Sequence, residues 1–266
     1  MWKLYDWLIE EVMDGTVAEE VVVGQVWTVT ISNTTGLAMS SPLLTTRHFV
    51  PGTCQGKTIK ELSRSIKSWD FLEAAIGLSA INSILNSRET MISMVNNGFH
   101  QLPSGSVFDV LKDEIKGKKV AGIGHFPKVD ELSKLCNLTV LERKPLNEDF
   151  PDPAAEYLLP EQDIVFITSS TLINKTAPRL LELSKNSLTI MLGPSTPLSP
   201  VLFEMGVDII SGLIVEESEQ VLRCIKEGGG IHHFRNAVTY VNLAKDNSLL
   251  FDMKECEEGW KRLNNS

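Results

Sequence analysis

The sequence predicts an α/β fold in which a doubly wound parallel sheet follows a smaller α+β unit. Three observations carry that expectation. In the C-terminal part, five short apolar runs alternate with helical stretches: Lys119 to Ile123, Leu138 to Leu141, Ile164 to Ile167, Leu188 to Leu192 and Val207 to Leu213. Strands covered on both faces and joined by crossover helices have this pattern. In the N-terminal part, helical spacing gives way to β-branched extended segments and then to two more helices. Between the parts, Asn96-Asn97-Gly98 to Pro103-Ser104-Gly105 is rich in turn formers, which places a domain boundary between units 1–104 and 105–266.

The elements follow in order. Trp2, Tyr5, Leu8, Ile9 and Val12 recur at helical spacing opposite Lys3, Asp6 and Glu10, and Gly15 stops the helix. Val21 to Ile31 reads as one extended segment and Leu37 towards Phe49 as a second, with Asn33 to Gly36 as the turn between them. Thr58-Ile59-Lys60-Glu61 has the form of a capping box before a short helix. Asp70 to Leu85 is apolar around most of its surface and is expected to be buried. Within it, Asn82 is expected inside as a structural tie or a ligand contact, and Glu73 as a solvated first-turn acid. Val107 to Ile115 is read as one short helix. Glu216 to Lys226 begins with acids and stops at Gly228-Gly229-Gly230, and residues 231–266 are read as an appended strand or helix that packs on the body.

Composition bounds the function. A chain of 266 residues with 42% hydrophobic content holds one large or two modest cores. No apolar run is long enough for a membrane span, and the N-terminus reads as an acid-bearing amphipathic helix rather than a signal peptide, which points to a soluble cytoplasmic protein with no membrane partner. A net charge of −9 without a basic stripe argues against nucleic acid. Cys54, Cys136, Cys224 and Cys256 form no CxxC pair, and the five histidines, His48, His100, His125, His232 and His233, form no HExxH. Neither a local zinc motif nor a dithiol motif is therefore written, while a metal site assembled from distant segments stays open.

The chemistry is expected at the loops that follow the strands, because ligands of open α/β sheets sit at the carboxyl ends near the reversal of strand order. Gly122-Ile123-Gly124-His125-Phe126-Pro127 is a GxG between a strand and a helix, with Glu142 twenty residues beyond Gly122. That is half of a dinucleotide fingerprint. The acid stands where a ribose hydroxyl would be held, but Pro127 replaces the third glycine. A tight turn with Pro127 at the first helical position, and Glu142 paired to Arg143 or Lys144, accounts for the same residues. Thr168 to Thr176 is dense in hydroxyls, with Thr176 a candidate helix cap. Gly193-Pro194-Ser195-Thr196-Pro197 is stiff yet hydroxyl-bearing, suited to a small anionic ligand or to a rigid turn.

GIGHFPKVDEL, LERKPLNEDFPDPAAEYLLPEQDIVFIT, TLINKT and GPSTPLSPVLFEMGVDIISG resemble the C-terminal domain of a prokaryotic family of unknown function labelled "putative heavy-metal chelation". GLAMSSP, CQGKTIKEL and EAAIGLSAINSIL resemble the small domain found in front of it. The resemblance implies an enolase N-terminal-like α+β domain before a Rossmann-like domain, with an active site in the cleft between them. It supplies no reaction.

The expected function is a small-molecule-binding protein or enzyme with that cleft as its site. Backbone donors are expected from Gly122, Gly124 and Gly193, hydroxyl contacts from Thr168, Ser195 and Thr196, and polar orientation from Asn174 and Glu142. Gly36, Asn82 and His48 would close the cleft from the small unit, and His125 is the candidate general acid or base. A transition metal or metal chelate is one candidate cofactor. A nucleotide- or S-adenosylmethionine-dependent enzyme is the alternative, and a homo-oligomer is compatible with the sequence.

Overall fold

The computed structural model describes residues 2–41, 51–126 and 128–246. His48, Pro127, Cys256 and most of the extended segment expected to run towards Phe49 lie outside the described residues.

The N-terminal part is a three-stranded antiparallel meander packed on one buried helix. Helix α1 (Lys3–Glu10) puts Leu4, Tyr5, Leu8 and Ile9 inward. The Lys60 ammonium closes its last turn by donating to Ile9 O and Val12 O at 2.7 and 2.8 Å. Strands β1 (Glu20–Val23), β2 (Trp27–Ile31) and β3 (Thr35–Met39) pair in that order. The single segment expected from Val21 to Ile31 is thus a hairpin broken after Val23, and Gly36, expected in a turn, lies inside β3. Helix α2 (Ile59–Ser63) has the expected capping box of Thr58 and Glu61. Helix α3 (Phe71–Leu85) starts where the Asp70 carboxylate accepts from the amides of Leu72 and Glu73. Helix α4 (Arg88–Asn96) is capped by Ser87.

Small residues on α3 let backbones meet. A Cβ on Gly36 would stand 2.0 Å from Ser79 O and 2.2 Å from Ser83 N, and one on Gly77 would stand 2.1 Å from Ile66 N. Only glycine allows β3 and the turn Arg64–Lys67 to approach so closely. Hydroxyls seal the seam, Thr30 Oγ1 with Ser79 Oγ at 2.8 Å and Ser32 Oγ with Ser83 Oγ at 2.7 Å. Glu73, expected in solvent, is buried, and its carboxylate accepts from Ser68 Oγ at 2.7 Å.

The rest of the chain builds one eight-stranded sheet from β4 (His100–Leu102), β5 (Lys119–Ile123), β6 (Asn137–Glu142), β7 (Phe150–Pro151), β8 (Ile164–Thr168), β9 (Leu188–Leu192), β10 (Ile209–Val215) and β11 (Val238–Ala244). Its order is β4-β11-β10-β9-β8-β5-β6-β7. Strands β10 to β7 in that order run parallel, which makes the core doubly wound and Rossmann-like. The fold is α/β, a mostly parallel sheet with a separate small antiparallel sheet. The five expected parallel strands are present because burial on both faces demanded apolar runs; every residue of β10 is buried. Strand β11 is the appended element expected after residue 231, antiparallel to β10 and β4. The expected helix over Val107 to Ile115 is two short helices, Val107–Val110 and Lys112–Ile115, meeting at Leu111.

Candidate functional site

From β5 the chain steps outward through β6 and β7, then returns to β8 on the other side and continues through β9 and β10. Strand order therefore reverses between β5 and β8, and the carboxyl ends of such a strand pair are where open α/β sheets hold their ligands. Gly124 turns the chain there with φ +100°, and a Cβ on it would come within 3.2 Å of Thr168 Cγ2, so the two loops are in contact. Thr168 Oγ1 and Ser170 Oγ pair at 3.1 Å. Gly193, at the end of β9, lies beside Ser169, whose hydroxyl would be 3.2 Å from a Cβ placed there. Gly124, Thr168, Ser170 and Gly193 are all half-buried at this edge.

His125 follows Gly124 with its imidazole 43% exposed, and its Nδ1 lies 3.3 Å from Asp149 Oδ2. The Asp149 carboxylate is only 8% exposed and also accepts from Leu146 N at 3.1 Å. A fixed carboxylate beside one ring nitrogen orients the imidazole and leaves the other nitrogen without that partner, the arrangement that general acid–base work uses. The amide of His125 donates to Glu142 Oε2 at 3.1 Å, while Glu142 Oε1 accepts from Arg143 N at 2.7 Å and Lys144 N at 3.3 Å. Glu142 is thus tied to main-chain amides of its own loops rather than to the side chains of Arg143 and Lys144. From that loop the Arg143 guanidinium reaches the Phe71 ring, 6.0 Å from its centroid, so the start of α3 stands at the same edge.

Other expected donors are spent. Gly122 is internal to β5, in register with Val140 and Phe166, and therefore belongs to the ladder rather than to a ligand loop. The amide of Gly124 donates to Leu141 O at 2.9 Å and that of Gly193 to Ser211 O at 3.0 Å, each extending a strand pairing. Asn174 Oδ1 accepts from Thr176 N at 3.1 Å and Thr176 Oγ1 at 2.6 Å, shaping its own turn. Thr176 therefore does not cap the next helix through its side chain.

Gly36, Asn82, Ser195 and Thr196 do come together, but as a closed junction. Ser195 and Thr196 are 2% and 0% exposed. Ser195 Oγ accepts from Met39 N at 2.8 Å, and Asn82 Nδ2 donates to Leu37 O at 2.8 Å and Ser195 O at 3.1 Å. Asn86 continues the seam, donating to Thr196 O and Leu213 O and accepting from Leu198 N. The helix Pro200–Glu204 is capped by Ser199, whose hydroxyl also meets the Glu11 carboxylate. The rigid connection, one of the two readings open for this loop, is the one its burial and hydrogen bonds match.

Four features escaped the sequence. Asp149 and Asn86 carry no local motif, since their partners are distant in the chain. Lys175 is 6% exposed at φ +69°, with its ammonium donating to Ile173 O at 2.6 Å and lying 5.6 Å from the Tyr5 ring centroid. Burial pushes it down to about 7 and pushes the Tyr5 hydroxyl up. A positively charged residue inside TLINKT was the available signal. The fourth is a cavity of about 790 Å³ between β1 and the first turns of α3, lined by apolar Val21, Leu72 and Ile76 and by Cys54, Gln55 and Glu73. Burial raises the Cys54 thiol above its ordinary range, with Lys57 opposing.

Comparison with known proteins gives consistent matches. A family model described as "Putative heavy-metal chelation" (DUF364) matches residues 106–244, and a second with the same description (DUF4213) matches residues 5–85. An uncharacterized protein of Methanocaldococcus jannaschii is 30% identical over 189 residues, 68% of this chain and 70% of that one. The crystal structure of a DUF364-family protein of unknown function from Desulfitobacterium hafniense is 34% identical with a TM-score of 0.84, covering 92% of this chain and 99% of its own. A second crystal structure of a DUF364-family protein of unknown function, from Pyrococcus horikoshii, is 22% identical with a TM-score of 0.74, over 90% and 97%, and shares the fold.

Proposed function

The chain belongs to the heavy-metal chelation family, and from that premise we propose that it is a cytoplasmic protein that binds a small polar molecule between its two units, at the carboxyl ends of β5 and β8. The observation that carries this reading is the His125–Asp149 pair standing at the reversal of strand order, where a loop glycine and paired hydroxyls meet. Arg143 above Phe71 supports a wall from the small unit, and its meander on α3 supports the enolase N-terminal-like reading. Cys54, Cys136 and Cys224 are unpaired, and no helix among the described residues is long and apolar enough to cross a membrane. Both support the compartment proposed.

The family's description calls for a metal. Among the described residues, no three His, Cys, Asp or Glu side chains converge in a way that could hold an ion. The described residues do not fit a protein-caged metal, and no step is derived through one. The polar groups that do converge in the crevice suit hydrogen bonding to an organic ligand with ionisable groups, and His125 there can take or give a proton. A nucleotide ligand finds less support, because the acid expected on its ribose is occupied by three main-chain amides.

A second seat is favoured by one observation, the cavity of about 790 Å³ beside Cys54, which is within the size range of small-molecule sites. Native mass spectrometry of protein purified without a His-tag, with elemental analysis, identifies a co-purified ligand. Its stabilisation, about 2.7 kcal/mol at 100 times the dissociation constant, is then measured in His125→Gln, Asp149→Asn and Cys54→Ser. The crevice reading expects the first two to lose it and Cys54→Ser to keep it. The reverse pattern moves the ligand to the cavity, and stabilisation by S-adenosylmethionine or ATP restores the nucleotide reading.

A further inference from the structure

We propose that Arg143 is an anion anchor at the carboxyl ends of the parallel strands, and that the ligand taken there is a small organic acid whose carboxylate seats on the free end of the Arg143 guanidinium beside His125. The inference rests on the site proposed above and adds the chemical class of its ligand.

Glu142 brings the two basic residues together. One of its carboxylate oxygens accepts from the amide of His125 at 3.1 Å and the other from the amide of Arg143 at 2.7 Å, so the two main chains lie side by side. Each basic side chain is then held by an aspartate from the segment that follows. Asp149 Oδ2 lies 3.3 Å from His125 Nδ1, and Asp152 Oδ2 accepts from Arg143 Nε at 2.9 Å. With the Phe71 ring 6.0 Å away, the guanidinium is fixed by an acid at its Nε and by an aromatic ring from the small unit.

What remains over is the end of the fork. Among the described residues neither Nη1 nor Nη2 of Arg143 has an acceptor, and Nε2 of His125 has no partner. The Arg143 side chain is 40% exposed and that of His125 43%, so a solute can reach both. Two coplanar donors on one rigid group match a carboxylate, which accepts them in parallel. Because the group is already held in place, binding costs it little further side-chain entropy. The acids of this frame are themselves engaged, Glu142 by three amides, Asp149 by Leu146 N and the imidazole, and Asp152 by Arg143 Nε.

Phosphate suits the place less well. Strand-end phosphate sites cradle the group with main-chain amides. Here the amides of Gly124, His125 and Gly193 donate to Leu141 O, Glu142 Oε2 and Ser211 O, which leaves these turns without a cradle.

Proton–nitrogen NMR on the full chain tests the anchor, with glycolate as the probe, glycolamide as its neutral counterpart and inorganic phosphate as the rival anion, all at one ionic strength. The amides of Gly124 and Leu146 report affinity in every variant, and the Arg143 Nε–H reports the anchor itself. Glycolate is expected to shift all three saturably, with a dissociation constant on the order of 1–10 mM for so small a molecule, and to bind about tenfold or more tighter than the other two. Arg143→Gln is expected to weaken glycolate by about tenfold or more, and Arg143→Lys, which keeps the charge and loses the fork, by about threefold or more. Neither is expected to move the ligand-free melting temperature by more than about 2 °C, since an exposed ion pair contributes little to folding. Unchanged affinity in Arg143→Gln, no saturation below about 100 mM, or equally tight binding of phosphate or glycolamide overturns the proposal. Loss of glycolate in His125→Gln with full binding in Arg143→Gln removes the anchor and leaves the site standing, as does a co-purified ligand without a carboxylate. Shifts that survive Arg143→Gln, His125→Gln and Asp149→Asn alike overturn the anchor and the site together.

Discussion

Neighbouring residues Ser195 and Thr196 are expected to respond to loss of a hydroxyl with opposite signs. Thr196 Oγ1 is buried and has no hydrogen-bond partner among the described residues, so the folded state bears its desolvation without return. An unsatisfied buried group costs about 1–3 kcal/mol, and Thr196→Val keeps the shape while removing it, a gain of about 1 kcal/mol. Ser195 Oγ instead accepts from Met39 N at 2.8 Å, so Ser195→Ala strands an amide in the seam and costs about 1–3 kcal/mol. In a protein of this size 1 kcal/mol shifts the melting temperature by about 2–4 °C, so the two variants should separate by about 4 °C or more in ligand-free thermal unfolding. Destabilisation by Thr196→Val of 1 kcal/mol or more, on the order of its desolvation cost, would show that its hydroxyl is held by a ligand or buried water, and the assignment of this loop to the seam would fail.

Three further expectations use the same assays. Asn86→Ala removes two donated bonds and one accepted bond and should cost about 3–5 kcal/mol, whereas exposed Asn97→Ala should stay within about 0.5; similar values for the two would remove Asn86 from its role as a tie. Gly36→Ala drives a methyl onto the α3 backbone and should cost more than about 3 kcal/mol, and a mild effect would mean that β3 and α3 can part easily. Lys175 is lowered from 10.5 to about 7 by burial, so between those values the unfolded chain carries about one extra proton and stability rises with pH by about 1.4 kcal/mol per unit. That rise levels off below about pH 7. Lys175→Met should abolish the slope and raise stability at neutral pH, and an unchanged slope from pH 7 to 10 would refute a buried, proton-poor lysine.

The sequence made the parallel core legible because two covered faces leave no room for polar residues, and Lys119–Ile123, Ile164–Thr168 and Leu188–Leu192 stand out accordingly. The sheet edges were not legible. Strand β4 has three residues and β7 two, too short for any period, and β11, VTYVNLA, has neither a continuous apolar run nor a clean alternation. At the site, the GxG loop and His125 were readable as a strand-to-helix turn, while Asp149 could be joined to His125 only by the folded chain. GPSTPLSP misled for a physical reason: hydroxyls and prolines shape a loop equally well against solvent and against another backbone. What separates those cases is the presence of Met39, Asn82 and Asn86 opposite, more than 100 residues away along the chain.

The glycine contacts of α3 bear on how such a molecule can let anything in. On one side the helix touches β3 backbone to backbone, on another it touches the turn Arg64–Lys67, and its last two turns are bonded to the loop that leaves β9. A jaw-like hinge between the N- and C-terminal parts would have to shear all of these contacts at once. The two parts are therefore joined through α3 rather than hinged about it.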